Sequence, residues 1–423
     1  MTQALKRFSP TRFAALEKLN RFVPRAGRDY ASRRNFDLGR DGHLGVSTLS
    51  PYLRARIITE ADVLEAVLSR HSTNAAEKFI QEIFWRTYWK GWLEMRPAVW
   101  THYNLALKKQ LNGIQTQSGL RANWQAACLG ETEIDCFNAW ANELVETGYL
   151  HNHARMWFAS IWIFTLNLPW ELGADFFLRH LLDGDPASNT LGWRWVAGIQ
   201  TPGKTYLART SNISKFTEGR FAPKWQLASK AEPITGPPLP PLQTLSEIAD
   251  IPSAPRTGLL IHDDDLSPSY LFEAGLAPLA TAVVTSRERL SPLAIAPHIE
   301  SFTHRTAEDV VSRFADRLGN VSYLAASSDA VLEWARQEGL EQIVTSYAPV
   351  GPNADLISDI STVEKSPKIK QVRRQYDSLA WPFATHGFFR FKEKIPFLLS
   401  QLPALKNNSN GQLQPSNPQG NNA

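Results

Sequence analysis

The chain has 423 residues, 43% of them hydrophobic, enough for two or three domains with cores of their own. A formal net charge of only +4 excludes a protein that is basic throughout, such as a nucleic-acid coat. The balance is uneven: residues 1–60 hold twelve Lys/Arg against five Asp/Glu, read from charge alone as a solvated helical face rather than a phosphate-facing edge.

In chain order, residues 1–228 read as helical. Apolar positions recur every three or four residues through Ala61–Leu68, Phe79–Trp92, Cys136–Leu144 and His153–Leu166. Lys6, Arg7 and Arg12 interrupt any N-terminal signal-like run. The longest apolar stretch, Trp157 to Trp170, is too short to span a bilayer and contains Asn167 and Pro169. Cys128 and Cys136 cannot form a tetrahedral thiolate site by themselves and fit small buried side chains of a reducing compartment. A soluble, cytoplasmic, monomeric protein with no membrane partner is expected. Residues 229–256 are proline-rich and predict a linker. From 257 to 405 short apolar runs at Gly258–Ile261, Thr281–Thr285, Val321–Ala325 and Gln342–Ser346 alternate with helical text at Ala307–Leu318 and Ser328–Glu338. That alternation predicts an α/β domain, Rossmann-like with a parallel sheet. Residues 406–423 are polar and predict a disordered tail.

Fourteen tryptophans are present, twelve of them before residue 230, a concentration that suits base stacking, an aromatic cofactor pocket or electron transfer. Glu82, Trp85, Arg86 and Trp89 fall at i, i+3, i+4 and i+7 and share one helical face, suited either to a planar anionic ligand or to an amphipathic rim. Asn152, Arg155 and Met156 share another face. Asp183 and Asp185 resemble metal ligands in spacing, but no further ligand follows, and Asp185 before a helix reads equally as an N-cap; no metal is expected. Trp193 and Trp195 project about 200° apart on a helix and so serve two surfaces. The run Asp263–Asp265 reads as a loop cap rather than a metal site.

These motifs occur in a known order. Glu82–Trp85–Arg86, then TGYLHNHARM, then DGDPASN with GWRW, preceded by DYASRRNF and STLSPYL, resemble the FAD-binding domain of the photolyase and cryptochrome family over roughly residues 10–225. The resemblance implies an all-helical FAD domain. Within it Tyr30, Ser47, Leu49 and Ser50 would hold the flavin's phosphates and ribityl chain. Arg86, Asn152, Arg155, Asp183, Asp185 and Asn189 would line its ring and adenine side, with Asn189 facing the central-ring nitrogen. Glu82, Trp85, Asn152, Met156 and Trp195, with Arg34, match the substrate-binding set for damaged DNA in cyclobutane pyrimidine dimer photolyases. Glu82, Asn189, Trp193 and Trp170 carry the catalytic and electron-transfer roles by the same analogy; Trp124 and Trp140 both remain open for the third tryptophan.

The implied activity is that of a deoxyribodipyrimidine photolyase, a carbon–carbon lyase that repairs DNA under blue light by electron transfer from excited reduced FAD. The alternative is a cryptochrome-like photoreceptor using the same flavin and tryptophans. Three departures from the family pattern weigh on repair: Val46 replaces a usual Thr, Tyr149 a common Trp, and His153 an Arg that often meets phosphate. GLLIHDDDLSP and TSYAPVGPNADLI resemble pieces of the family's antenna domain, here placed after the flavin domain as in a circular permutation; a second, antenna chromophore there is unidentified, and an empty scaffold is the expectation.

Overall fold

The structure, a computed structural model, describes residues 3–247 and 256–402. Its first part is helical because its helices are both patterned and capped. Thr11 accepts from Ala14 N to start Arg12–Phe22, and Thr59 with Asp62 closes a capping box on Glu60–Leu68. Gly130 and Gly148, at φ 67° and 68°, end the helices Ser118–Leu129 and Asp135–Thr147 in the left-handed conformation that glycine takes without a Cβ clash. The helices that build the site are α1 (Glu77–Glu94), α2 (Asn152–Ser160), α3 (Trp170–His180), α4 (Pro186–Val196) and α5 (Thr210–Phe216). The periodicity over His153–Leu166 is realised as α2 followed by a π-helical segment, Ile161–Thr165, beyond which Asn167 takes φ 52°. Trp140, Trp157 and Trp162 are fully buried, so much of the tryptophan excess fills the core.

The second part is a five-stranded parallel sheet, β1 (Thr257–His262), β2 (Ala280–Val284), β3 (Asn320–Leu324), β4 (Gln342–Ser346) and β5 (Lys368–Val372), in the order β3-β2-β1-β4-β5. Helices Pro297–Arg313, Ser328–Gln337 and Pro352–Thr362 connect the strands. The expected fold class, an all-helical part followed by a parallel α/β part, is what the chain adopts. β1, β2 and β4 are buried along their whole length, with apolar runs such as Leu259–Ile261 and Ala282–Val284 within them, as covered parallel strands require. The β5 edge strand, Lys-Ile-Lys-Gln-Val, is part exposed and too polar for that signal, and the sequence reading missed it. The helix expected over Ala307–Leu318 begins ten residues earlier, at Pro297, and gives way to a 3-10 turn at Ala315–Arg317.

Residues 229–247 form no regular element but are pinned to the helical part through Ile234 N to Ala197 O (3.0 Å) and Gln243 N to Met95 O (2.9 Å). Residues 248–255, and the tail at 406–423, lie outside the described residues. After β5 the chain leaves the sheet and crosses back over α1. There the Tyr376 and Thr87 hydroxyls are 2.8 Å apart, Tyr88 Oη donates to His386 O (2.7 Å), and Arg96 donates to Thr385 O (2.7 Å).

Buried ion pairs join the two parts. Arg54 reaches Asp263 (2.9 Å) and Asp264 (3.2 Å), and Arg56 makes two 2.7 Å bonds to Asp377 and lies 3.6 Å from Asp265, which Arg374 of the second part also holds at 2.5 and 2.7 Å. The aspartate run at 263–265 is thus an anchor for arginines from across the interface as well as a local cap, in which Asp265 accepts from Ser267 N.

Candidate functional site

The helices line an open-mouthed cavity of about 740 Å³, within the range of about 300–1,000 Å³ usual for small-molecule sites. α1 supplies Glu82, Trp85, Arg86 and Trp89 to its wall, so all four residues of the predicted face meet there. α2 supplies Asn152, Arg155 and Met156, its first two turns presenting these three on one side. Asp183 and Asp185 come from the turn between α3 and α4, and Asn189, Trp193 and Trp195 from α4 itself. Tyr30 and Arg34 enter from the helix Arg28–Arg33 and its end.

Two ion pairs brace this wall. Arg86 Nη1 lies 3.0 Å from Asp185 Oδ2, while Asp185 Oδ1 accepts from Ala187 N and Ser188 N at 3.0 Å, capping α4. The N-cap and pocket readings of Asp185 are therefore both fulfilled by one side chain. Burial works to raise its pKa, but Arg86, Lys90 and the Ser188 N–H prevail and hold it below the ordinary aspartate value. Arg155 donates to Asp183 Oδ2 (2.8 Å) and to Leu150 O (2.8 Å). Asp183 Oδ1 is buried with no hydrogen-bond partner, as is Trp193 Nε1. Asn189, which lines the cavity, donates from Nδ2 to Ala174 O (2.9 Å).

At the mouth, Arg34 hydrogen-bonds Glu82. Burial raises the Glu82 pKa, and Arg34 offsets part of that rise. The Trp85 ring stacks on Phe388 with centroids 3.7 Å apart and planes 12° apart. Trp195 stacks more loosely on Tyr206, at 5.6 Å. Trp193 and Trp195 both touch the cavity, yet they serve different surroundings as their spacing implies: Trp193 is buried against Phe177 (5.1 Å) and Trp162 (6.2 Å).

Other expected residues lie elsewhere. Ser47, Leu49 and Ser50 are not among the cavity-lining side chains, although neighbouring Val46 is. Leu49 is fully buried in the core, Ser47 Oγ accepts from Leu49 N (3.4 Å), and Ser50 opens a short helix. Trp170 also lies off the cavity, with Tyr103 5.6 Å away, while Trp162 is the tryptophan ring packed directly against Trp193. His153 does line the cavity, half-buried, with its ring stacked on Trp157 (4.1 Å) and Nδ1 3.0 Å from Asn35 O. Phe389 of the cavity lining and Phe388 stacked on Trp85 were missed, because no local pattern marks an aromatic pair after a sheet as part of a pocket built by a distant segment.

Away from the cavity, Asp37, His43 and Glu143 gather three ligand-type groups in a buried cluster. Their contacts are internal: Asp37 accepts from Gly39 N, Trp140 Nε1 and Arg220, and His43 Nε2 meets Glu143 at 2.7 Å.

A helical domain with an open-mouthed pocket, lined by paired charges and tryptophans together, is the kind of protein that suits a planar, partly anionic cofactor. Residues 79–226 match the family model described as the FAD binding domain of DNA photolyase. Over 193 residues the chain is 28% identical to a deoxyribodipyrimidine photo-lyase of Alkalihalophilus pseudofirmus, covering 45% of this chain and 39% of the relative. Over 197 residues it is 32% identical to one of Agrobacterium fabrum, again 45% of this chain and 39% of the relative. A crystal structure of a bacterial class III photolyase from Agrobacterium tumefaciens is similar at 29% identity and a TM-score of 0.40, over 49% of this chain and 43% of that one. The chain thus spans less than half the length of these curated relatives. Its helical part contains a FAD-binding domain of the photolyase and cryptochrome family.

The residues present fit FAD. The unpartnered Asp183 oxygen and the Asn189 carbonyl supply acceptors for ring N–H groups, and Arg86 and Arg155 supply positive charge. Among the described residues no helix is long and apolar enough to cross a membrane.

Proposed function

We propose that this protein splits cyclobutane pyrimidine dimers in DNA, using light and FAD held in the cavity. The observation that carries the reading is a coincidence in space. Glu82, Trp85, Asn152, Met156 and Trp195, the expected lesion set, open onto the same cavity as Arg86, Arg155, Asp183, Asp185 and Asn189, the expected flavin set. FAD, when bound, would supply a light-driven electron.

The protein's residues do the rest. Asp183 and Asn189 orient the ring by hydrogen bonds, and Arg86 and Arg155 neutralise negative charge while fixed by Asp185 and Asp183. A dimer flipped from its strand needs flat apolar walls, and Trp85 and Trp195 offer them. Glu82, with its pKa raised by burial, is suited to donate a proton-bearing hydrogen bond to a pyrimidine carbonyl. Trp193, buried beside the cavity and packed on Trp162, offers an aromatic route for reducing the flavin.

Blue-light treatment of a thymine-dimer oligonucleotide tests this, with a dark control and Glu82→Ala alongside. Light-dependent dimer loss that falls sharply in the variant is expected. No loss with fully reduced, bound flavin would overturn it.

The contacts at the mouth favour one second reading, a photoreceptor. Arg34 already engages Glu82, Phe388 covers one face of Trp85, and His153 is engaged by the Trp157 ring and Asn35 O. On that reading, light changes the protein's conformation or partners and leaves dimers intact.

A further inference from the structure

The rim of the cavity is completed by a segment from the other end of the chain. Beyond β5, Trp381 is fully buried on Gly91 of α1, and α1 also binds Thr385 O and His386 O through Arg96 and Tyr88. A short helix follows, α6 (Phe388–Lys392), tied at its end by Lys392 to Glu77 (3.0 Å). Adjacent residues of α6 project in different directions. Phe388 and Phe391 are buried against Trp85 and Tyr88, and this anchors the helix. Phe389 lines the cavity mouth and is 82% exposed, with exposed Arg390 beside it.

A phenylalanine held in water on a firmly anchored helix gains nothing for the fold. Its position has a use if DNA arrives. A dimer that leaves the stack to enter the cavity uncovers the faces of its neighbouring bases, and an aromatic ring at the mouth covers one of them whatever its sequence.

We infer that Phe389 is a nucleobase-stacking contact for the nucleotide flanking the lesion, with Arg390 placed to meet the adjoining phosphate. This rests on the DNA-repair reading and extends it: the DNA-binding surface is shared by both parts of the chain, and the helical part alone lacks the Phe389 contact.

The test is binding in the dark of a fluorescent single-stranded oligonucleotide carrying one thymine dimer, to the full FAD-loaded protein and to Phe389→Ala and Phe389→Tyr. Phe389→Ala raises Kd about tenfold, since stacking on one aromatic ring is worth roughly that much. It keeps wild-type flavin content and thermal midpoint, and Phe389→Tyr restores tight binding. An unchanged Kd in Phe389→Ala overturns the contact, as does weaker binding accompanied by flavin loss or unfolding. A wild type that binds the oligonucleotide but never splits the dimer ends the repair reading, while a tenfold loss on Phe389→Ala still upholds the contact. A wild type that does not bind overturns both.

Discussion

Asp185 performs two tasks with two oxygens, one capping α4 and the other pairing with Arg86. Asn can cap a helix nearly as well as Asp, so Asp185→Asn removes the charge and little else. It leaves Arg86 with less compensation in a buried place, a change that costs about 3–5 kcal/mol when a buried pair is broken. A lower denaturation midpoint and a loss of FAD on gel filtration are expected. Glu82 makes a second residue-scale prediction. Its pKa is raised by burial, so the neutral acid persists to higher pH than in water. If that form donates to the pyrimidine, dimer splitting declines as pH rises through the raised pKa. In Glu82→Gln, which stays neutral, the pH profile of the repair rate should be flat where the wild type falls. The sequence placed both residues through helix spacing and resemblance, but the competing bond from Arg34 to Glu82 joins positions 48 apart, and no local pattern contains it.

At the scale of elements, the seam between α1 and the segment after β5 rests on a glycine. A Cβ at Gly91 would lie 2.8–2.9 Å from Trp381 Cδ1, Cα and Cβ, and a backbone atom in that list cannot swing aside. Gly91→Ala should therefore cost about 1–3 kcal/mol by overpacking and loosen the segment that carries Phe388. Thermal unfolding and protease cleavage near residue 385 would reveal it, and unchanged values in both would show that the seam adapts. α1 itself was legible, because its apolar and polar positions follow the helical repeat and its site face is local to one helix. The neighbouring Ser47, Leu49 and Ser50 were assigned by resemblance alone. The structure seats Leu49 in the core, since the short helix it precedes must bury its apolar side. β5 was not legible, because an edge strand buries too little to need apolar residues.

The whole molecule is held together by carboxylates of the α/β part buried against arginines of the helical part. Asp263 is the clearest case. Burial would raise its pKa, but Arg54, Asn353, Arg287 and the Ser286 N–H together hold it at about 2 against an ordinary 3.8. A depressed carboxylate pKa stabilises the fold fully above the unfolded value, and the contribution fades as pH falls from about 4 to 2. His151 and His180, each lowered to about 3 chiefly by burial, act in a higher window: stability falls as pH drops below 6.5, where the unfolded chain takes up protons that the folded one refuses. Urea unfolding at pH 7, 5 and 3 should show a progressive loss. Asp263→Asn should be less stable at pH 7 yet show a shallower decline between pH 4 and 3.

By itself the sequence determined the fold class, the residues that α1, α2 and α4 offer to one ligand, and the resemblance to a flavin domain. These follow from short-range rules: helical and strand periodicity, caps, and ordered motifs within one segment. Only the tertiary structure decided how the two parts meet, that Asp263–Asp265 serve as interface anchors, and that Phe389, with Phe388 stacked on Trp85 beside it, completes a cavity built by residues 30–216. Those contacts join residues hundreds of positions apart. They are chosen by packing and by the need to pair buried charge, and neither leaves a periodic trace in the chain.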